Sequence, residues 1–315
     1  MNIILKIRIK FKKYIGWLII GIIAWYFWQT LSSNWNQVSQ LKIKFGPSTL
    51  LAVFLHAFSV FISGFLWGET FYLTTKIKIP LLESVRAHCA AWILKYIPGQ
   101  VGAYLYKLRW GKNKGASKAL TSLAFLYDFL FLLFASTLPI VPIVFLGSAS
   151  TNMGPPMLAA YVLCLSSIFI VTNKRSAESI QNLIKKISGK KFENIQPLAL
   201  GSLIRMVLLY SLPRVTNAIG FIVISSSLLS LGIEDYVTLG AIYVLAGIIG
   251  ILAVFVPSGI GVREGIIVIL SSSIISVEEA IVLSLLARLY ATAADALVAT
   301  LYLVLLKNGW NWRVH

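Results

Sequence analysis

Apolar runs long enough to cross a bilayer recur from one end of this chain to the other, and they constrain its fold more than any other feature. A helix of about 20 apolar residues spans roughly 30 Å of hydrocarbon. Such runs occupy residues 14–31, 48–75, 119–147, 156–172, 198–231, 236–256, 258–276 and 280–306. They leave no space for a separate soluble domain, so residues 1–315 are predicted to form one all-α integral membrane domain with about eight transmembrane helices.

Composition excludes the soluble alternative. The 315 residues are 58% hydrophobic and only 12% charged, and a soluble fold of this size cannot bury that much apolar surface. The run at 14–31 is longer than the apolar core of a signal peptide, about 7 to 15 residues, and it lacks a small-x-small cleavage site. We therefore expect it to be a retained membrane anchor.

The net charge of +17 is distributed in a way that predicts membrane orientation. Lys and Arg cluster in the leader 1–13, in the stretch 107–118 and in the loop 173–197, each beside an apolar run. Short basic segments of this kind mark the cytoplasmic side. We expect the chain to lie in the cell (inner or cytoplasmic) membrane with both termini in the cytoplasm. The acidic pairs at 234–235 and 278–279 are expected on the opposite side of that membrane. The same clustering argues against a nucleic-acid partner.

Two proline-glycine breaks interrupt apolar segments, at 97–102 (IPGQVG) and 256–265 (VPSGIGVREG). Hydrocarbon leaves free backbone groups unsatisfied, so such breaks line a cavity or bind something polar. Corresponding breaks in two halves are typical of inverted-repeat transporters, which bind substrate between the repeats. Close helix packing through small residues is the alternative. Segment 81–97 has basic flanks at both ends, which favours a re-entrant hairpin over a full crossing.

Charges at membrane depth are informative because each costs about 2.5–3.5 kcal/mol at a helix centre. Arg263 and Glu264 follow the second break and open an apolar helix, whose N-terminal amide groups favour an anion such as phosphate. Glu264 would brace Arg263 or carry a proton; a purely structural Arg-Glu pair is the alternative. Arg288 and Asp295 share a helical face, which predicts an internal ion pair with a structural role or a role in ligand passage.

The candidate site residues follow from these two arguments. The predicted substrate-binding residues are Lys95, Pro98, Gly99, Gly102, Arg109, Arg205, Arg214, Pro257, Gly259, Gly261, Arg263 and Arg288. The predicted orienting or coupling residues are Asp128, Glu264 and Asp295. His and Cys residues are scattered without metal-ligand spacing, and the sequence has no GxSxG or Walker A motif. No metal, cofactor or catalytic residue is predicted.

The stretch Leu94–Gly102, the segment Leu126–Asp128 and the late Val256–Gly265 together resemble the lysylphosphatidylglycerol synthase transmembrane family, the flippase-like domain. The resemblance covers nearly the whole chain. Gln100 and Ala103 depart from the pattern, in which an acidic residue lies near Gly102. Only a few residues follow Leu306, where full synthases carry a cytosolic aminoacyl-transferase domain, so lysyl transfer is not expected.

The resemblance implies a flippase-like transporter that moves or presents an anionic lipid. Its substrate would be a phospholipid, an aminoacyl-phospholipid or a polyprenyl-phosphate-linked sugar, and membrane lipids with anionic headgroups would be its partners. A membrane glycosyltransferase that uses a polyprenyl-phosphate donor is the first alternative, with Asp128, Glu264 or Asp295 as base. The second is a non-catalytic subunit that assists a glycosyltransferase or lipid-synthesis partner. The sequence leaves the choice among them, and the oligomeric state, open.

Overall fold

The computed structural model describes residues 32, 35–36, 46–96, 101–138, 162, 175, 179, 199–253 and 257–307. Within these ranges the chain forms eight α-helices and no strands. The helices are α1 Pro47–Thr75, α2 Leu81–Ile93, α3 Val101–Asn113, α4 Lys118–Ala135, α5 Leu200–Leu228, α6 Ile233–Leu252, α7 Val262–Ser271 and α8 Val277–Lys307. The predicted runs 14–31 and 156–172, the leader 1–13 and the loop 173–197 lie outside the described residues, apart from 162, 175 and 179.

Five of these helices, α1, α4, α5, α6 and α8, are long and apolar enough to cross a membrane. The predicted all-α, multi-pass membrane fold is thereby confirmed. Helix α5 continues for 29 residues through Pro213, which does not split it. The run 258–276 behaves differently from the prediction, because α7 has only 10 residues and a length of about 15 Å. It is too short to span the hydrocarbon.

Helix α1 is the central helix, since it packs against α2, α4, α5 and α8 and contributes to all four clusters of buried apolar residues. Gly64 and Gly68 lie one turn apart on its face toward α2. A Cβ added to Gly64 would lie 2.8 Å from Cα of Val85, and one added to Gly68 would lie 2.8 Å from Cβ of Ser84. The two small residues therefore allow α1 and α2 to approach closely, as in membrane helix pairs generally.

Helices α2 and α3 form a hairpin, which agrees with the re-entrant segment that the basic flanks favour. Each has 13 residues, so each is about 20 Å long and shorter than the hydrocarbon layer. Glu83 in the first turn of α2 forms an ion pair with Lys114, which directly follows α3. The open ends of the two helices therefore lie together, and the chain returns to the level at which it entered. Helix α2 ends in a 3-10 turn at Leu94–Tyr96.

Helices α6 and α7 form the second hairpin, with a 3-10 turn at Pro257–Gly259 between them. Ser258, Gly259 and Gly261 have φ angles of 54°, 65° and 83°, so the chain turns sharply and α7 begins only at Val262. A carboxylate oxygen of Glu264 accepts a hydrogen bond of 2.7 Å from the Gly261 N–H, which would otherwise be unsatisfied. The 3-10 turns of the two hairpins contact each other. Both broken segments thus meet inside the protein.

Gly259 is predicted to be irreplaceable in this arrangement. It has a φ of +65°, and an added Cβ would lie 2.7 Å from Cα of Gly250 on α6. Gly259→Ala should therefore destabilise the protein by at least about 1–2 kcal/mol, from the left-handed conformation alone. Thermal unfolding in detergent measures this loss.

The matched control is Gly265→Ala in the interior of α7, where an added Cβ meets nothing within 4 Å. That variant should be neutral or more stable, because Ala favours the helix by about 1 kcal/mol over Gly. Equal melting temperatures for the two variants would contradict the proposed backbone contact.

Candidate functional site

A cavity of about 210 Å³ lies where the 3-10 turns of the two hairpins meet. All eight helices contribute to its wall, so the cavity lies between the helices of the bundle. A cavity of this volume suits a polar headgroup and is too small for a whole lipid. The polar side chains of its wall are His56, Ser59, His88, Trp92, Lys95, Lys107, Asp128, Arg214, Asn217, Tyr243, Ser258, Arg263 and Asp295.

The tip of the first hairpin carries one half-buried ion pair. Nζ of Lys95 lies 2.7 Å from Oδ2 of Asp295 on α8. The indole N–H of Trp92 donates a 2.7 Å hydrogen bond to the other oxygen of the same carboxylate, and Nζ of Lys95 lies 4.0 Å from the centroid of the Trp92 ring. The carboxylate therefore has partners on both oxygens, and the lysine has an aromatic face as well as an anion.

A second ion pair joins the other arm of this hairpin to α4. Nζ of Lys107 lies 2.8 Å from Oδ2 of Asp128, and the hydroxyl of Tyr210 donates to Oδ1 of that carboxylate. Nζ of Lys107 also lies 3.7 Å from the centroid of the Trp67 ring. Lys107 is only 3% exposed. The sequence analysis placed it with the basic cytoplasmic residues of 107–118, whereas its side chain is buried in the bundle, where Asp128 binds it.

Arg263, in the first turn of α7, lies over an aromatic ring that its neighbours hold in place. Its guanidinium carbon is 4.2 Å from the centroid of the Tyr243 ring, which stacks on Phe221 at 4.5 Å. Nδ1 of His56 donates to the carbonyl of Ala52 at 2.8 Å, so Nε2 is free to accept from the Tyr243 hydroxyl at 2.6 Å. Tyr243 is thereby fixed as a platform for the arginine.

Arg214 on α5 completes the polar wall, and several polar atoms near it have no partner. Among the residues that the structure describes, Nε of Arg214, Oδ1 of Asn217 and both ring nitrogens of His88 are buried without a hydrogen bond. Within the same ranges, neither Arg214 nor Arg263 has a carboxylate oxygen within 4.0 Å. Unsatisfied polar groups of this kind are costly when buried, so the cavity is suited to a polar ligand.

The structure brings six of the predicted site residues to the cavity wall. They are Lys95, Asp128, Arg214, Gly259, Arg263 and Asp295. The predicted ion pair between Arg288 and Asp295 does not form, because Asp295 binds Lys95 instead. Arg288 is 3.6 Å from Glu264, so Glu264 braces Arg288 and the start of α7, and not Arg263.

The remaining predicted residues lie elsewhere. Arg205 pairs with Glu69 at 3.1 Å and its side chain is 67% exposed, so it lies on the outer surface of α5. Arg109 is exposed on α3, and Gly102 is half-buried in the first turn of that helix. Gly261 caps α7, and the backbone of Pro257 begins the second 3-10 turn. Pro98 and Gly99 lie outside the described residues.

Among the wall residues that the sequence analysis missed are His56, Lys107, Asn217 and Tyr243. Three of them are polar residues inside the apolar runs 48–75, 198–231 and 236–256, and a polar group at membrane depth is itself a functional signal. Lys107 gave no such signal, because its neighbours in sequence are basic. Within the described ranges, no three His, Cys, Asp or Glu side chains are grouped closely enough to hold a metal ion.

The Lys107–Asp128 pair generates a stability prediction. Asp128→Asn should destabilise the protein by about 3–5 kcal/mol, because it leaves a buried ammonium group without an anion. The double variant Lys107→Met with Asp128→Asn removes that unpaired charge and should recover most of the loss. Melting temperatures of the wild type, both single variants and the double variant measure this recovery. A double variant as unstable as the sum of the single variants would show that the two side chains are not coupled.

Comparison with known proteins agrees with this geometry. A protein-family model described as the lysylphosphatidylglycerol synthase TM region matches residues 14–299, which confirms the resemblance seen in the sequence. The match includes both hairpins and every polar wall residue of the cavity. No curated protein matches the chain.

Proposed function

The chain belongs to the lysylphosphatidylglycerol synthase transmembrane family, and from that premise we propose that it binds the phosphate-bearing headgroup of an anionic membrane lipid. The binding site is the cavity between the two hairpins, and the bound headgroup passes through it from one leaflet toward the other. The observation that carries this proposal is the concentration of four cationic side chains in one cavity of a membrane domain. Lys95, Lys107, Arg214 and Arg263 all line it.

Buried cations are expensive in hydrocarbon and are retained where they meet an ion or a charged substrate. Two of the four have no carboxylate partner among the described residues. Arg263 adds a suitable geometry, because it sits in the first turn of α7 and presents a planar fork of N–H donors. A phosphate group accepts hydrogen bonds from such a fork and is favoured at a helix N-terminus.

The volume of the cavity and the apolar part of its wall favour a lipid headgroup over a larger soluble molecule as the ligand. The volume of about 210 Å³ accommodates a headgroup, and the hydrocarbon chains of the lipid stay in the surrounding bilayer. Phe125, Phe129 and Leu132 on one side of α4 form an apolar part of the wall. A ligand with a charged end and an apolar end thus finds matching surfaces in one cavity.

The cationic partners of the three candidate carboxylates favour a lipid-binding role over catalysis of glycosyl transfer. Asp128, Glu264 and Asp295 were the candidates for a catalytic base, and each of them lies beside a lysine or arginine. A carboxylate with a cationic partner is a weak base, because the cation stabilises its ionised form. We therefore favour a carrier over the glycosyltransferase alternative.

Arg263→Gln tests the proposal in proteoliposomes that contain a fluorescent anionic lipid. Wild type should move the labelled lipid to the outer leaflet, where dithionite quenches it, faster than protein-free vesicles do. The variant should be slower by about 10- to 100-fold, because hydrogen bonds to a charged group contribute about 1.5–3 kcal/mol. Lys112→Gln is the control, since it removes one positive charge from an exposed position on α3.

Two outcomes would contradict the proposal. One is a wild-type rate equal to that of protein-free vesicles. The other is equal slowing by Arg263→Gln and Lys112→Gln, which would reduce the effect of Arg263 to a loss of surface charge.

We propose that the chain is oriented in the cell membrane with its basic segments in the cytoplasm. Glu278→Cys at the start of α8 and Lys112→Cys at the end of α3 are both exposed positions and report on opposite sides. In a background without Cys89 and Cys164, a membrane-impermeant maleimide should label Glu278→Cys in intact cells. Lys112→Cys should react only after permeabilisation. The reverse pattern would invert the proposed topology.

A further inference from the structure

The fixed charges of the cavity do not cancel. Lys95 is paired with Asp295, and Lys107 is paired with Asp128. Arg214 and Arg263 remain, and no carboxylate of the described residues lies within ion-pair distance of either. The wall therefore carries two positive charges that nothing in the described part of the chain compensates.

The two histidines of the wall add no further positive charge to those of Arg214 and Arg263. His56 donates from Nδ1 to the carbonyl of Ala52 and accepts at Nε2 from the Tyr243 hydroxyl, which is the arrangement of a neutral ring. His88 lies in the same wall as two cations, Lys107 and Arg214, where a further positive charge would be repelled. Since the described part of the chain offers Arg214 and Arg263 no carboxylate, a bound anionic ligand would supply the compensating charge.

We infer that the cavity selects a lipid whose headgroup ends in a phosphate monoester, over the phosphodiester headgroups of ordinary phospholipids. This inference rests on the proposed function and specifies its substrate class. A phosphate monoester carries a charge of about −1.5 to −2 at pH 7, which matches the two arginines. A phosphodiester carries one negative charge and leaves one buried guanidinium uncompensated, at a cost that rises in a low-dielectric site.

Hydrogen bonding favours the same ligand. A monoester has three terminal oxygens, and all of them are strong acceptors. Arg263 presents its guanidinium from α7, while Nε of Arg214 and a ring nitrogen of His88 are buried donors without partners in the described part of the chain. A diester has only two terminal oxygens and its substituent blocks one side. The monoester therefore satisfies more of the donors that line this cavity.

The test measures affinity in nanodiscs of neutral phosphatidylcholine that hold the full chain. Dioctanoyl phosphatidic acid is the monoester, and dioctanoyl phosphatidylglycerol is the diester. At pH 7.5 the monoester should bind at least about tenfold more tightly, the effect of one charged hydrogen bond. Equal affinities would overturn the inference and leave the proposed function standing. Binding of neither lipid would overturn both.

Acidification provides a second arm. The second proton of a monoester binds near pH 6, so the preference should fall toward unity at pH 5. The groups that face the ligand are Lys95, Lys107, Arg214, Arg263, Asp128, Asp295, His56 and His88. Because any titration of these groups acts on both lipids, the affinity for the diester at each pH is the internal reference. A preference that persists unchanged at pH 5 would overturn the inference.

Variants at Arg214 distinguish the effect of its charge on the lipid preference from an effect on folding. Arg214→Gln should reduce the preference for the monoester to within about threefold, since one of the two uncompensated charges is gone. Arg214→Lys keeps the charge and should keep the preference, which holds even if the glutamine variant folds poorly. Lys112→Gln is again the control and should leave the preference unchanged. Loss of preference in Arg214→Lys together with a normal melting temperature would overturn the role of charge.

Inorganic phosphate distinguishes the lipid from a free anion. As a competitor against phosphatidic acid, it should require at least about tenfold higher concentration, because it lacks the chains that hold a lipid beside the cavity. Competition at equal concentration would assign the site to free phosphate and overturn the lipid part of the inference.

Discussion

In a bilayer, backbone groups and charges must find their partners inside the protein, and the structure of this chain depends on that constraint. The two hairpins are its clearest result. Each breaks its helix within an apolar region, and each places its 3-10 turn against the other. Gly259 makes the meeting possible by packing on the backbone of Gly250. Free backbone groups that lipid would penalise are thereby gathered within the protein, beside the cavity that the two hairpins line.

Much of the fold could be predicted from the sequence, because hydropathy and helix length are local properties. The bounds of α1, α5, α6 and α8 follow the apolar runs closely. The re-entrant hairpin followed from its basic flanks. The short helix α7 could not be predicted from hydropathy, since residues 258–276 form one largely apolar run despite Arg263 and Glu264. Its length is decided by backbone angles at Ser258, Gly259 and Gly261, which delay the start of the helix.

The site was predicted less completely, because its partners are distant in sequence. A pattern on one helix suggested that Arg288 would bind Asp295, but a lysine 200 positions away binds that aspartate. Lys107 seemed to be a loop residue for the same reason, since nothing in its neighbourhood indicates Asp128. Arg263 was identified because the signal for it is local, an arginine directly after a glycine break. Composition predicts which residues are costly in a membrane, whereas the tertiary fold decides which of them pair.

The two lysines of the first hairpin have a mechanical consequence. Lys95 binds α8 and Lys107 binds α4, so the hairpin is fastened to two different transmembrane helices. A tilt of the hairpin away from α8 lengthens the first bond while the second acts as a pivot, and a tilt away from α4 does the opposite. A ligand that competes for one of the two ion pairs therefore weakens the attachment of the hairpin to that helix. It favours a tilt of the hairpin away from the same helix.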